Sequence, residues 1–165
     1  MKLRRDRQGD IWLENLPPFC ADTYARIPEW LASEDPAVQA RLRPRAARDG
    51  EVEAEWRRYG APELERLFLT REQILRRDLS TLARARLGGG LRFRIARGHE
   101  SAWLSALNGA RHALFILHAL GPGDLAQELD QVADPERQEA LARITVLGWL
   151  QELLLAETAA SSDMA

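Results

Sequence analysis

Residues 99–120 constrain the fold more than any other stretch of this sequence. They predict a helix that is apolar on nearly every face, and such a helix normally lies at the centre of a protein. Polar side chains interrupt it, among them Asn108, Arg111 and His118. Polar groups buried in a core must find partners, or each destabilises the fold by about 1–3 kcal/mol. The segment therefore either forms a polar network that holds a helical core together or lines a binding site.

Length and charge are those of an ordinary globular protein. A chain of 165 residues can form a sizeable core, and we expect a single helical domain with an N-terminal hairpin over residues 1–160. The small, mostly polar residues 161–165 are expected to form a disordered tail. The formal net charge of −2 provides no general argument for nucleic acid or an anionic membrane as a partner.

Cysteine content and hydropathy limit the compartment and the chemistry. Cys20 is the single cysteine, which excludes an internal disulfide and a cysteine-clustered metal site. The basic residues near the start precede polar residues 8–10 rather than an apolar stretch, so no secretory signal is predicted. No run approaches the roughly 18 to 20 apolar residues that span a bilayer. We therefore expect a cytoplasmic protein without a membrane segment.

Changes of hydrophobic period along the chain predict its secondary structure. Residues 2–16 are typical of a hairpin, and residues 91–95 alternate with period two as a strand. Helical spacing predicts a long helix over residues 62–87 and a last helix that begins at Pro135. The predicted fold class is mainly α: a helical bundle around a central buried helix, with a small antiparallel sheet from the hairpin and the strand near residues 91–95.

Capping residues predict two shorter helices. Asp35 precedes Pro36, which is the pattern of an N-cap followed by proline in the first helical turn. Asp49 is expected to cap a further helix that contains Glu55, and Gly60 is expected to end it.

Four short motifs in a fixed order connect this sequence to a known family. They are Arg41-Leu42-Arg43-Pro44, Glu55-Trp56-Arg57-Arg58, residues 103–108 with Arg111, and Leu147-Gly148-Trp149-Leu150-Gln151-Glu152. With these motifs the chain resembles, over roughly residues 2–157, a bacterial family of uncharacterised proteins, the domain of unknown function numbered two thousand and seventeen. The specificity lies in the order and spacing of the motifs, because each motif alone is weak.

The resemblance has modest implications. It implies a mostly helical fold, no established activity, and genes often found beside the adaptor of the Clp protease, which hints at regulated proteolysis. The family pattern places an Asp after the residue matched by Asn108, whereas this chain has Gly109. A role that needs that carboxylate is therefore not expected here.

The polar residues of the central helix share a predicted stripe. Its members are three or four residues apart: Leu104, Asn108, Arg111, Phe115 and His118. A core-facing helix would bury this stripe together with the neighbouring one that contains Trp103. Because Arg111 cannot lose its charge, its burial would require a carboxylate. The candidates are Glu55, which the resemblance pairs with Arg111 in motif order, and Glu152 on the last helix.

Two interpretations of this stripe stay open. The favoured one is a structural polar network that fixes the register of the helices. The other is a site for an anion or a peptide carboxylate, lined by Asn108, Arg111 and His118.

Signals for other chemistry are weak. His112 and His118 are six residues apart and point to different sides of the helix, so they cannot chelate a metal together. No nucleophile motif is recognisable, no metal or other cofactor is predicted, and enzymatic activity is not favoured. A nucleic-acid footprint could be formed by Arg92, Arg94 and Arg97 together with Lys2, Arg4 and Arg5, but acidic neighbours on the sheet are expected to pair with these arginines.

The leading hypothesis is a cytoplasmic protein-interaction or regulatory module. Its five tryptophans and charged patches are typical of protein contacts, and the partner is an unidentified protein, with the resemblance suggesting the Clp adaptor system. Homo-oligomers are left open. The alternatives are a small-molecule or anion-binding protein that uses the polar stripe, with or without catalysis, and weak nucleic-acid binding through the arginine-rich strands.

Overall fold

The computed structural model describes residues 1–43, 50–85 and 90–162, and it confirms a mainly α-helical fold with a small antiparallel sheet. The strands are β1 (Lys2–Arg5), β2 (Ile11–Leu16), β3 (Ala83–Arg84) and β4 (Leu91–Ile95). The helices are α1 (Pro18–Ala25), α2 (Ile27–Leu31), α3 (Pro36–Leu42), α4 (Gly50–Glu55), α5 (Ala61–Leu79), α6 (Glu100–Leu117) and α7 (Pro135–Ser162).

The sheet joins the N-terminal hairpin to the strand that follows α5. Its order is β1-β2-β4-β3, and each neighbouring pair is antiparallel. Alternate residues of β2 and β4 point inward and are fully buried, among them Leu13 opposite Phe93. The predicted hairpin and the predicted strand over residues 91–95 are both present, and together they cover one end of the helical core.

Helix α6 lies at the centre, as predicted, and contacts α2, α3, α5 and α7. It ends at Leu117 rather than continuing to residue 120, because Ala119 adopts a left-handed backbone conformation with φ of 47°. Its stripe of Trp103, Leu107, Ala110 and Leu114 is almost wholly buried. Gly109 permits a close approach, because a Cβ atom there would lie 2.8 Å from Cδ2 of Leu31 on α2. The side chains of Leu31 on α2 and Leu42 on α3 therefore occupy the space that a larger residue at position 109 would need.

Helix α5 is shorter than the sequence predicts. It ends at Leu79 instead of continuing to about residue 87, and β3 then pairs with β4. The hydroxyl of Thr81 donates to the carbonyl of Asp78 at 2.6 Å and accepts the amide of Arg94 at 2.8 Å. This side chain provides hydrogen bonds that compete with helix continuation. The end of the predicted helix at residues 86–89 lies outside the described residues.

The segment before α5 also departs from the prediction. Gly60 does not end a helix; a π-helical turn, Trp56–Gly60, connects α4 to α5. A Cβ atom at Gly60 would lie 2.2 Å from Cε3 of Trp56, so the tryptophan ring packs where a side chain would otherwise stand. The predicted capping residue Asp49 lies outside the described residues.

Two other boundary predictions can be compared with the structure. The carboxylate of Asp35 accepts hydrogen bonds from the amides of Ala37 at 2.8 Å and Val38 at 3.1 Å, which confirms it as the N-cap of α3. Helix α7 begins at Pro135, as predicted, and continues to Ser162, two residues into the predicted tail. Residues 163–165 lie outside the described residues.

Candidate functional site

The polar stripe of α6 is less buried than a core-facing helix would require. Asn108 is exposed, whereas Arg111 and Phe115 are half-buried. The neighbouring stripe with Trp103 is packed in the core, whereas Leu104 and Phe115 of the polar stripe pack against it only in part. The expectation that both stripes are buried is therefore wrong for the polar stripe, which faces open space beside α3 and α5.

That open space is a cleft formed by two adjoining cavities of about 350 Å³ and about 490 Å³. Arg41, Asn108 and His112 line both cavities. We call the combined space the α6 cleft. Its first half is further lined by Leu31, Leu42, Arg43, Phe68, Arg71, Glu72, Ser105, Ala106 and Gly109, and its second half by Arg111, Phe115, Ile116, Leu125 and Ile144.

The α6 cleft has an excess of positive charge. Among the described residues, no carboxylate forms an ion pair with Arg41, Arg71 or Arg111. The acidic residue in the lining, Glu72, is engaged by Arg76 at 2.7 Å. The cleft thus retains three uncompensated guanidinium groups.

The positive charge of the cleft affects the pKa of His112, which lines both of its halves. Burial lowers the pKa of its imidazole, and the nearby guanidinium groups of Arg41 and Arg111 lower it further. This environment therefore favours the neutral imidazole. A bound anion would oppose the effect of both arginines.

Arg111 is positioned by a neutral partner. Its Nη1 atom donates to Oε1 of Gln151 on α7 at 2.9 Å, and its buried Nε atom has no hydrogen-bond partner within the described part of the chain. Glu152 is the next residue on α7, about 100° further around the helix, and it is exposed. Glu55 is exposed on α4. The structure therefore brings Gln151, rather than either predicted glutamate, to Arg111.

His118 is separated from Asn108 and Arg111. It lines another cavity, of about 340 Å³, together with Trp30, Glu139 and Arg143. Two physical reasons account for this: His118 lies seven residues beyond Arg111, which is about 10 Å along a helix axis, and α6 ends at Leu117. Of the residues predicted for the site, Asn108 and Arg111 share the α6 cleft. Arg41, Arg71 and His112 join them there, although sequence reasoning did not assign them to the site.

Comparison with known proteins identifies the family. The family model described as "Domain of unknown function (DUF2017)" matches residues 12–158, which include the lining of the α6 cleft. This chain belongs to the DUF2017 family. No curated protein and no solved structure matches it. The DUF2017 assignment agrees with the resemblance found in the sequence and carries no activity with it.

The DUF2017 chain contains a second polar cluster, which connects α5 to the start of α6. The buried carboxylate of Asp78 accepts the indole N–H of Trp103 at 2.8 Å, and its oxygen atoms lie 3.0 Å and 3.1 Å from Nδ1 of His99. Sequence reasoning missed this cluster. One signal could have revealed it, because Asp78 lies between Leu75 and Leu82 on the apolar stripe of the predicted long helix.

The arginines of the sheet are largely engaged within the DUF2017 fold. Arg4 pairs with Glu14 at 3.4 Å and Arg94 pairs with Asp10 at 2.8 Å. The guanidinium of Arg92 lies over the ring of Trp12, 5.0 Å from its centroid. The opposite-charge pairing expected from the sequence is therefore present, and it reduces the positive charge that this face offers to nucleic acid.

Residues 1–43, 50–85 and 90–162 show neither a metal cluster nor a membrane-spanning helix. Within these ranges no cluster of three or more His, Cys, Asp or Glu side chains is arranged to hold a metal ion. The helices found there include none with the length and hydropathy needed to cross a bilayer.

Proposed function

We propose that this DUF2017 protein is a binding module that takes an acidic segment of a partner protein into the α6 cleft. The observation that carries the proposal is the convergence of Arg41, Arg71 and Arg111 on one open cleft, without ion pairs to carboxylates of the described residues. We also expect the protein to act in the cytoplasm. A connection to Clp-type proteolysis, implied by the sequence resemblance, is part of the proposal.

Like charges in a partly buried space repel one another, and an incoming carboxylate relieves that repulsion. Guanidinium groups suit this task because their planar N–H groups can hold a carboxylate with two parallel hydrogen bonds. The lowered pKa of His112, caused by burial and by Arg41 and Arg111, supports a positive potential in this part of the cleft. The α6 cleft therefore has the electrostatics of an anion receptor.

The apolar half of the cleft favours a protein segment over a small inorganic anion. Phe115, Ile116 and Leu125 line it beside Arg111. An apolar surface next to charged anchors is typical of protein recognition, in which side-chain burial and ion pairing act together.

A direct binding experiment tests this proposal. Fluorescence anisotropy would compare a labelled glutamate-rich peptide with a lysine-rich peptide of equal length. We expect binding of the acidic peptide alone, weakening as salt is added. Arg41→Ala and Arg71→Ala should each weaken it by about 3- to 10-fold.

The matched control is Arg77→Ala, which removes an exposed arginine from α5 outside the cleft lining. This variant should bind as the unmodified protein does. Equal affinity for the acidic and basic peptides, or equal losses in Arg77→Ala and Arg71→Ala, would overturn the proposal.

A further inference from the structure

The α6 cleft changes character along its length. Asn108, His112 and Arg41 stand at the junction of its two halves, and the arginine Arg71 lies in the first half. Beyond the junction the lining is dominated by apolar side chains: Phe115, Ile116, Leu125 and Ile144. A ligand that fills both regions must have an anionic group adjacent to an apolar group.

Resting on the proposed function, we propose that the α6 cleft recognises the C-terminal carboxylate of a partner polypeptide whose last side chain is apolar. In this arrangement Arg41 and Arg111 hold the carboxylate. The last side chain packs against Phe115 and Leu125, in the half of the cleft that Ile144 closes from α7.

The spacing along α6 suits a terminal residue. Arg111 and Phe115 are four residues apart, which is about 6 Å along a helix axis. The two side chains therefore lie on the same side of α6, one turn apart, so a terminal residue whose carboxylate meets Arg111 can direct its own side chain towards Phe115. An internal glutamate places its carboxylate at the end of a side chain, so it would not bring an apolar group of the same residue to Phe115.

Asn108 favours a peptide over other amphipathic anions. Its amide can donate to a carbonyl and accept from an N–H group, which matches the two polar groups of a peptide bond. The side chain is exposed and makes no hydrogen bond to the described residues, so both functions are free for a ligand. A fatty acid offers no N–H group for the amide oxygen.

Peptides that differ only at the terminus test this inference. The probes are labelled pentapeptides that end in leucine with a free carboxylate, in leucine with an amide, and in serine with a free carboxylate. We expect the leucine acid to bind at least about 10-fold more tightly than either of the others. Dodecanoate serves as a competitor that has a carboxylate and an apolar chain but no peptide bond.

Variants of the protein separate the two halves of the site. Asn108→Ala should weaken the leucine acid while leaving the thermal unfolding midpoint unchanged, because its side chain is exposed. Phe115→Ala should remove the preference for leucine over serine. Phe115 is half-buried, so Leu125→Ala, at a position that is 53% exposed, provides a second test of that preference if Phe115→Ala fails to fold.

The outcomes distinguish this inference from the proposed function. If the acid and the amide bind equally, or neither binds, while the glutamate-rich peptide binds and requires Arg41, the inference is overturned and the proposed function stands. If dodecanoate binds and the peptides do not, a peptide terminus is overturned as the ligand. If neither the pentapeptides nor the glutamate-rich peptide binds, the inference and the proposed function both fail.

Discussion

Nη1 of Arg111 donates a hydrogen bond to Oε1 of Gln151 at 2.9 Å, which joins the central helix α6 to α7. Gly148 lies beside this contact, and a Cβ atom there would be at an ordinary van der Waals distance of 3.9 Å from Cζ of Arg111. The acceptor is a neutral amide, so the side chain is held in place without loss of its charge. Gln151 therefore fixes the position of the Arg111 side chain without compensating its charge, and the positive charge remains beside the α6 cleft.

Gln151→Glu should separate the structural role of Arg111 from its role in binding. A carboxylate in place of the amide would form an ion pair with Arg111, and we expect the free energy of unfolding to rise by about 0.5–1 kcal/mol. The same change would compensate the charge of the cleft and weaken acidic peptides by about 10-fold. Urea unfolding and fluorescence anisotropy measure the two effects. Glu152→Gln, at the exposed neighbouring position, is the control and should change neither quantity by much.

His112 should make both stability and binding depend on pH. Burial and the guanidinium groups of Arg41 and Arg111 lower its pKa below 6.5, so the unfolded chain takes up the proton first. The contribution of His112 to the free energy of unfolding is therefore greatest above pH 6.5, and it declines as the pH falls towards the lowered pKa. A bound carboxylate favours the charged imidazole, so affinity for acidic peptides should increase as the pH falls through the same window.

His112→Gln removes this titration and should flatten both trends. The measurements are urea unfolding and peptide binding at about pH 7.5 and about pH 5. His118→Gln is the matched control, because His118 lines a different cavity. The explanation would be contradicted if His112→Gln kept the pH dependence of the unmodified protein.

Asp78 should be important for stability. Its carboxylate is 2% exposed and accepts the indole N–H of Trp103, with His99 as its other polar contact. Asp78→Ala leaves the indole and the imidazole without this acceptor, and we expect the free energy of unfolding to fall by about 2–4 kcal/mol. Trp103→Phe removes one hydrogen bond as well as some packing, so we expect the free energy of unfolding to fall by about 1–3 kcal/mol.

Chemical denaturation provides the measurement for this cluster. Asp130→Asn is a suitable control because Asp130 is exposed, and its effect should stay within about 0.5 kcal/mol. A loss for Asp78→Ala no greater than that of the control would show that the cluster does not stabilise the fold.

Arg143 should stabilise the contact between α1 and α7. It is 7% exposed, donates to the hydroxyl of Thr23 at 3.0 Å, and pairs with Asp22 at 2.8 Å. Arg143→Met keeps much of the apolar volume but removes these contacts, and we expect a loss of about 2–3 kcal/mol in the free energy of unfolding.

Arg66→Met is the matched comparison for Arg143→Met. Arg66 forms an exposed ion pair with Glu63 at 2.7 Å, and pairs of this kind contribute about 0–1 kcal/mol. Thermal or urea unfolding should therefore separate the two variants clearly. Equal effects would mean that burial of Arg143 adds nothing to its ion pairs.

Much of the fold could be predicted because local signals and burial agree. The period-two alternation of residues 91–95 matches β4, and Asp35 caps α3 as its position before Pro36 predicts. The end of α5 was missed because the hydroxyl of Thr81 bonds to a strand that follows only later in the chain. A hydrogen bond of that kind cannot be read from helical spacing alone.

The candidate site was predicted only in part. Asn108 and Arg111 share the α6 cleft, whereas His118 lies in another cavity, because it is two helical turns beyond Arg111 and follows the end of α6. Arg41 and Arg71 reach the cleft from α3 and α5, so their proximity depends on how these helices pack around α6.

The sequence by itself determined that residues 99–120 contain the central helix, that polar side chains interrupt it, and that the chain resembles the DUF2017 family. These properties follow from hydrophobic period and local motifs. Only the tertiary structure decided that Asn108 is exposed in a cleft and that Gln151 meets Arg111. The physical reason is that the space beside a helix, and the charge within it, are set by neighbouring elements distant in the chain.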